Sequence, residues 1–169
     1  MLYNLTDIFS EEGKEEILTA EYDRSFVRIG TEEYPVKECG TLSLTISNRA
    51  KGEVQMTGGI SMVCEVPCDR CLKPVSVALS LQVDEYVKES MLGTPEAAEE
   101  LSFIEGYTLD TDQLIGNEIM INWPMKVLCR DDCKGICKVC GKDLNEGDCG
   151  CDTFVPDPRM AVIKDIFNA

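Results

Sequence analysis

A chain of 169 residues that is 44% hydrophobic is long enough for one ordinary domain with a small appendage, and apolar enough to fold rather than stay disordered. It contains ten Cys, no His and a formal charge of −15. Without His there is no Ser-His-Asp triad, no Cys-His dyad and no His-ligated zinc protease site, and the excess of 31 acidic over 16 basic side chains opposes unassisted binding to phosphate backbones.

Residues 1–7 carry neither a basic nor an apolar leader, and no apolar run approaches the roughly 20 residues that span a bilayer. A cytoplasmic, thiol-reducing compartment is therefore expected, with no membrane partner. Glu11-Glu12-Gly13-Lys14-Glu15-Glu16 reads as a charged loop. The stretch with Tyr22, Arg24, Phe26 and Arg28 reads as strand or short helix. From 36 to 48, Leu42, Leu44 and Ile46 alternate with Ser43, Thr45 and Ser47, the period of a half-buried strand. Asn48-Arg49-Ala50-Lys51-Gly52 then reads as a hairpin connection. Residues 53–64 return with Val54, Met56, Ile60 and Met62, and Gly58-Gly59 suggests a bulge or a sharp bend. Val75, Val77, Leu79, Leu81 and Val83 alternate strictly, so 36–87 is expected to form a three-strand meander.

Residues 89–102 read as a flexible loop, with or without a helical turn. Asp110 is a helix N-cap ahead of Leu114, Ile115, Ile119 and Ile121, and Pro124 closes that helix. Asp157 and Pro158 open a second helix, with Met160, Val162, Ile163, Ile166 and Phe167 on its apolar face. The expected class is α+β: an antiparallel sheet, open or barrel-like, with flanking helices and a C-terminal four-cysteine zinc-ribbon-like segment. Residues 1–128 would form the sheet domain. Residues 129–169 would form the zinc-binding segment and last helix, packed on the same domain.

The cysteines are clustered. A C-x2-C turn aims two sulfurs into one concavity, and zinc takes four soft ligands in a tetrahedron. Cys137-Lys138-Val139-Cys140-Gly141 has the Gly that a tight knuckle uses, and Cys149-Gly150-Cys151 is its complement, giving one site of Cys137, Cys140, Cys149 and Cys151. Subtraction assigns Cys68, Cys71, Cys129 and Cys133 to a second. A rival grouping puts Cys129 or Cys133 into the first site. Cys39 and Cys64 remain as spare thiols, expected to be small buried hydrophobes. Two zinc ions per chain follow, with iron as the alternative metal. A four-thiolate centre is closed, so the expected role is structural rather than catalytic.

Three runs resemble a known family: Cys68-Asp69-Arg70-Cys71-Leu72 between two strands; Leu128-Cys129-Arg130-Asp131-Asp132-Cys133-Lys134-Gly135-Ile136-Cys137-Lys138-Val139-Cys140-Gly141, continuing to Cys149; and Asp157-Pro158-Arg159-Met160-Ala161-Val162. They resemble the YceD-like family, the large ribosomal RNA subunit accumulation proteins. Lys138 stands where members often carry Pro, and the first 30 residues match no hallmark. The resemblance implies a non-enzymatic role in large-subunit ribosome biogenesis, with large-subunit rRNA or a pre-ribosomal particle as partner and no small-molecule substrate.

The charge sets the alternatives. Arg70, Lys73, Arg130 and Lys134 are the candidate contacts to rRNA or a partner, although residues 129–152 hold four basic and six acidic side chains. An acidic zinc-stabilised escort for a basic ribosomal protein suits the charge better. A thiol-redox or hydrolytic enzyme lacks any P-loop, carboxylate pair or nucleophile motif.

Overall fold

The computed structural model describes residues 1–94 and 101–152. The helix expected from Asp157 and part of the 89–102 loop fall outside the described residues. The chain divides into two compact units. Met1–Val66 and Ser76–Met125 form one; Pro67–Val75 and the residues from 126 onward form the other.

The first unit is built on six strands: β2 (Glu15–Glu21), β3 (Phe26–Ile29), β4 (Glu32–Cys39), β5 (Thr41–Ala50), β6 (Glu53–Pro67) and β7 (Pro74–Lys88). The order is β2-β5-β6-β4-β3, with β7 also on β6, so the sheet is open rather than a barrel. A second sheet holds β1 (Leu2–Asn4), β9 (Thr108–Asp110) and β8 (Ile104–Glu105), in that order. Among the described residues there are two α-helices, α1 (Thr6–Ser10) and α2 (Thr111–Asn122), and neither is long and apolar enough to cross a membrane.

The period-two pattern does what it should. Leu42, Leu44 and Ile46 of β5, Val54, Met56, Ile60 and Met62 of β6, and Leu79, Leu81 and Val83 of β7 are buried, while Ser43, Ser80 and Gln82 face solvent. Each such aliphatic side chain contributes about 1.5–3 kcal/mol on burial. The expected single strand from 36 is instead split at Gly40. Cys39 pairs with Met62 and Ser43 with Gly59, so β4 and β5 follow one another along β6, and the Gly40 N–H joins the ladder by donating to the Ser61 carbonyl at 2.8 Å. On the side facing β5, Gly58-Gly59 carries no bulge. Pairing with β5 runs regularly from Ser43 to Asn48, and the shift lies between Asn48 and Ala50.

Asn48 is not a turn residue. It is buried in β5, and its Nδ2 donates to the carbonyls of Ile8 (2.7 Å) and Phe9 (3.3 Å). Those are carbonyls that a helix end leaves unpaired, so a side chain 40 residues away completes α1. The charged loop is also shorter than expected, because β2 begins at Glu15 and pairs with β5 through Glu15–Ser47. The stretch around Phe26 is strand, not helix.

Helix α2 begins where the sequence puts it. The Asp110 carboxylate accepts from the backbone N–H of Asp112 (2.9 Å) and Gln113 (3.4 Å). Trp123, extended before Pro124, ends the helix and stacks on Tyr34 with ring centroids 5.0 Å apart. Leu114, Ile115 and Ile119 are buried; Ile121 is exposed, because two residues after Ile119 is the far side of a 3.6-residue turn. Replacing Asp110 by Ala should cost about 1 kcal/mol of unfolding free energy. Urea unfolding checks this, with Asp110→Asn expected to keep most of the loss at bay; equal losses from both variants would remove the cap as the cause.

Candidate metal centres

Among the described residues the second unit has little regular structure, and it holds all eight clustered cysteines. Cys68 and Cys71 come from the β6–β7 connection, Cys129 and Cys133 from the stretch after residue 126. Their four sulfurs lie within 4.8 Å of one another, with Cys68–Cys133 at 3.9 Å and Cys71–Cys129 at 3.5 Å. A tetrahedral zinc with bonds of about 2.3 Å sets its sulfurs roughly 3.8 Å apart. Cys137, Cys140, Cys149 and Cys151 form the other group, again within 4.8 Å. The rival grouping, with Cys129 or Cys133 beside Cys137, is not the one adopted. Cys39 and Cys64 lie in the first unit. Cys64 is buried, but Cys39 is exposed where β4 ends at the Gly40 bend, not a buried hydrophobe.

Both C-x2-C turns fold alike. Cys68 N–H donates to the Lys73 carbonyl at 2.8 Å, and Leu72 N–H to the Cys68 carbonyl at 2.9 Å. Cys137 N–H donates to the Lys142 carbonyl, and Gly141 N–H to the Cys137 carbonyl, both at 2.8 Å. The residue after the second Cys is left-handed in each turn: Gly141 at φ 73° and Leu72 at φ 61°. Gly adopts this freely; Leu does so at a cost of roughly 1–2 kcal/mol. The sequence flags Gly141 and hides Leu72, whose equivalence appears only in the hydrogen bonds. Leu72 is largely exposed, so Leu72→Gly loses little packing. It should raise unfolding free energy by about 1 kcal/mol, read as slower loss of metal to a chelator. A faster loss would mean that the Leu72 side chain is itself needed.

Non-cysteine side chains position the ligands. Asp69 N–H donates to the Val127 carbonyl at 2.9 Å, and its carboxylate accepts from Val127 N–H at 2.7 Å, which sets the segment leading to Cys129 against the first turn. Asn145 lies between Cys140 and Cys149 in sequence, yet its Nδ2 donates to the Cys133 sulfur at 3.5 Å. Its Oδ1 accepts from Lys134 N–H (2.8 Å) and the Arg130 guanidinium (2.9 Å). Lys73 binds Asp143 (2.7 Å) and Glu146 (3.1 Å), and that pairing holds the Asp143 carboxyl down at about 2. The loop of one cluster is thereby braced to the other. Each brace follows a sequence separation that no spacing rule covers.

The four candidate contact residues are largely occupied inside this unit. Arg70 donates to the Cys133 carbonyl at 2.6 Å, Lys73 is held by Asp143 and Glu146, and Arg130 meets Asn145 and Asp132. Lys134 engages through its backbone.

The sulfurs of each cluster are driven in opposite directions. The N–H groups of Cys140 and Val139 lower Cys137 to about 6. Burial opposes ionisation of Cys68, but the N–H groups of Arg70, Cys129 and Cys71 outweigh it and bring it to about 6. Sharing hydrogen bonds with Cys71 pushes Cys129 up to about 12, and Cys140 and Cys149 do the same to Cys151. Four sulfurs this close cannot all be thiolates without a cation among them. The charge the donor set lacks is that of a metal ion, and both clusters can bind one. Four protein sulfurs leave no open position for substrate.

Residues 56–167 match the family model described as large ribosomal RNA subunit accumulation protein YceD. An uncharacterized protein of Mycobacterium bovis is 29% identical over 120 residues, which cover 69% of this chain and 58% of the relative. An uncharacterized protein of Mycobacterium leprae is 26% identical over 123 residues, 71% of this chain and 57% of the relative. The matched region thus spans little more than half of these relatives. No solved structure matches the chain significantly. The chain belongs to the YceD family.

Proposed function

We propose that this protein is a non-enzymatic factor in large ribosomal subunit biogenesis, acting in the cytoplasm. It supports accumulation of large-subunit rRNA by binding precursor rRNA or an early assembly particle, with zinc in both cysteine clusters. The observation that carries this reading is the family match over residues 56–167, which includes both clusters. The chemistry of the clusters supports it, because closed four-sulfur sites fold a segment rather than turn over a substrate. Cys68, Cys71, Cys129 and Cys133 hold one ion in this reading, and Cys137, Cys140, Cys149 and Cys151 the other.

The distribution of charge favours a second reading of the partner. The sheet unit carries 22 of the 31 acidic and 7 of the 16 basic side chains, and so the whole net charge of −15. The cysteine unit is balanced at nine of each in sequence. An acidic sheet unit suits a basic ribosomal protein, raising its encounter rate and shielding it from RNA.

Depletion in cells tests the shared part: large-subunit rRNA should fall relative to small-subunit rRNA, and an unchanged ratio removes the biogenesis role. Crosslinking in cells separates the partners. Abundant rRNA adducts favour direct RNA contact, and a single basic ribosomal protein favours the escort.

A further inference from the structure

Open sheets have edges, and natural proteins blunt them with charge, Pro, bulges or brevity. Edge strand β3 has only four residues and carries Arg28, and edge strand β2 carries Glu15, Glu16 and Glu21. Strand β7 differs. It is 15 residues long, it pairs on one side with β6, and among the described residues no strand covers its other side. No charge and no Pro interrupts it from Ser76 to Val83. Its outward side chains there are Ser76, Ala78, Ser80 and Gln82, small or uncharged.

Beside this edge the exposed face of the sheet is recessed. A cavity of about 440 Å³ is lined by Glu38, Gly40, Ser61, Ala78 and Ser80, among others. The recess exists because small side chains cluster there, and Glu38 stands in its wall. Farther along β7 come Asp84 and Glu85, within a unit that carries the entire charge of −15.

We infer that the free edge of β7 binds an extended, basic polypeptide segment as an added strand. The inference rests on the escort reading above and gives it a surface. Eight residues of edge, roughly 27 Å long, supply main-chain hydrogen bonds, and alternate side chains of the added strand lie over the recessed face. Lys or Arg stems lie over the small side chains of Ser61, Ala78 and Ser80, with their charged ends toward Glu38 and Asp84. The acidity of the unit selects basic segments, and the small outward side chains of β7 let a backbone come close.

The test uses the full zinc-loaded chain and a twelve-residue peptide alternating Lys with Thr or Val. The same peptide, N-methylated at every residue, keeps its charge but has no N–H to give to a ladder on either of its edges. The plain peptide should bind and slow amide exchange along 76–83, and N-methylation should weaken binding at least tenfold. Ser80→Lys, on an exposed position, should weaken the plain peptide by a similar factor without changing the melting temperature. Equal binding of the two peptides overturns the edge while leaving a basic client possible. Binding of neither overturns the edge too, and crosslinking then decides the escort reading by itself. A single-stranded RNA twelve-mer that protects 76–83 in place of the peptide also overturns it.

Discussion

Stripping metal from the purified protein should unfold the cysteine unit and leave the sheet unit folded. The asymmetry follows from what each unit has besides its sulfurs. The sheet unit buries three consecutive strand faces together with Leu5, Ile8 and Phe9 near α1 and Leu114, Ile115 and Ile119 of α2. Among the described residues of the cysteine unit, the buried side chains are Cys68, Cys71, Cys133 and Cys137 with Val127, and Val75 and Leu128 flank the first three. Among those residues the regular pairing beyond the ends of β6 and β7 is one isolated bridge, Ile136–Asp143. That burial is too small to offset the chain entropy of the described residues, and metals or disulfides usually make up such a deficit. A structural zinc in each cluster would supply about 10–16 kcal/mol of apparent binding energy at neutral pH, enough to make up that deficit.

Amide exchange read residue by residue checks this. Protection should vanish across 67–75 and 126–152 after chelation and persist in β5, β6 and β7. Metal analysis should give about two ions per chain. Release should be biphasic, because Cys68, Cys71 and Cys133 are buried, whereas Cys140 is exposed and Cys149 and Cys151 are half-buried. Cys140→Ser should abolish the fast phase and Cys133→Ser the slow one. Acid should speed both, since the ligands must be thiolates to hold the metal. A metal-free native protein, or a cysteine unit still protected after chelation, would sink this account.

The sequence announces those parts whose information is local. Strict alternation from Val75 to Val83 marks β7, and Asp110 with Pro124 brackets α2, because a cap and a breaker act within a few residues. C-x2-C spacing marks each turn for the same reason. What is hidden depends on partners far along the chain. Helix α1 has five residues and no side-chain N-cap, and its last carbonyls are met by Asn48. Pairing Cys68 and Cys71 with Cys129 and Cys133 takes the Asp69–Val127 brace, across 58 residues. Leu72 in the place of Gly141 breaks the local rule, so only the fold exposes it.

Replacing Gly58 by Ala should be the most damaging single change in the sheet unit. A Cβ there would lie 1.9 Å from the Ser43 carbonyl oxygen, 2.9 Å from the Ser43 carbonyl carbon and 3.0 Å from the Leu44 Cα. All three atoms are backbone, so no side chain can swing aside. The β5–β6 ladder itself must open where Ser43 faces Gly59 and Leu44 faces Gly58. That separation would carry Leu42 and Leu44, both fully buried, away from β6. Overpacking a core typically costs 1–3 kcal/mol, and a lost ladder hydrogen bond adds about 1, so a loss of about 3 kcal/mol or more is expected. Gly116 of α2 supplies the control, because nothing lies within 4 Å of a Cβ built on it. Gly116→Ala should therefore stabilise by about 0.5–1 kcal/mol through helix propensity and a less flexible unfolded chain. Urea unfolding of the two variants side by side gives opposite signs for one chemical change. A Gly58→Ala protein as stable as the parent would show that β5 and β6 separate freely at that point, and the close approach would lose its role in the fold.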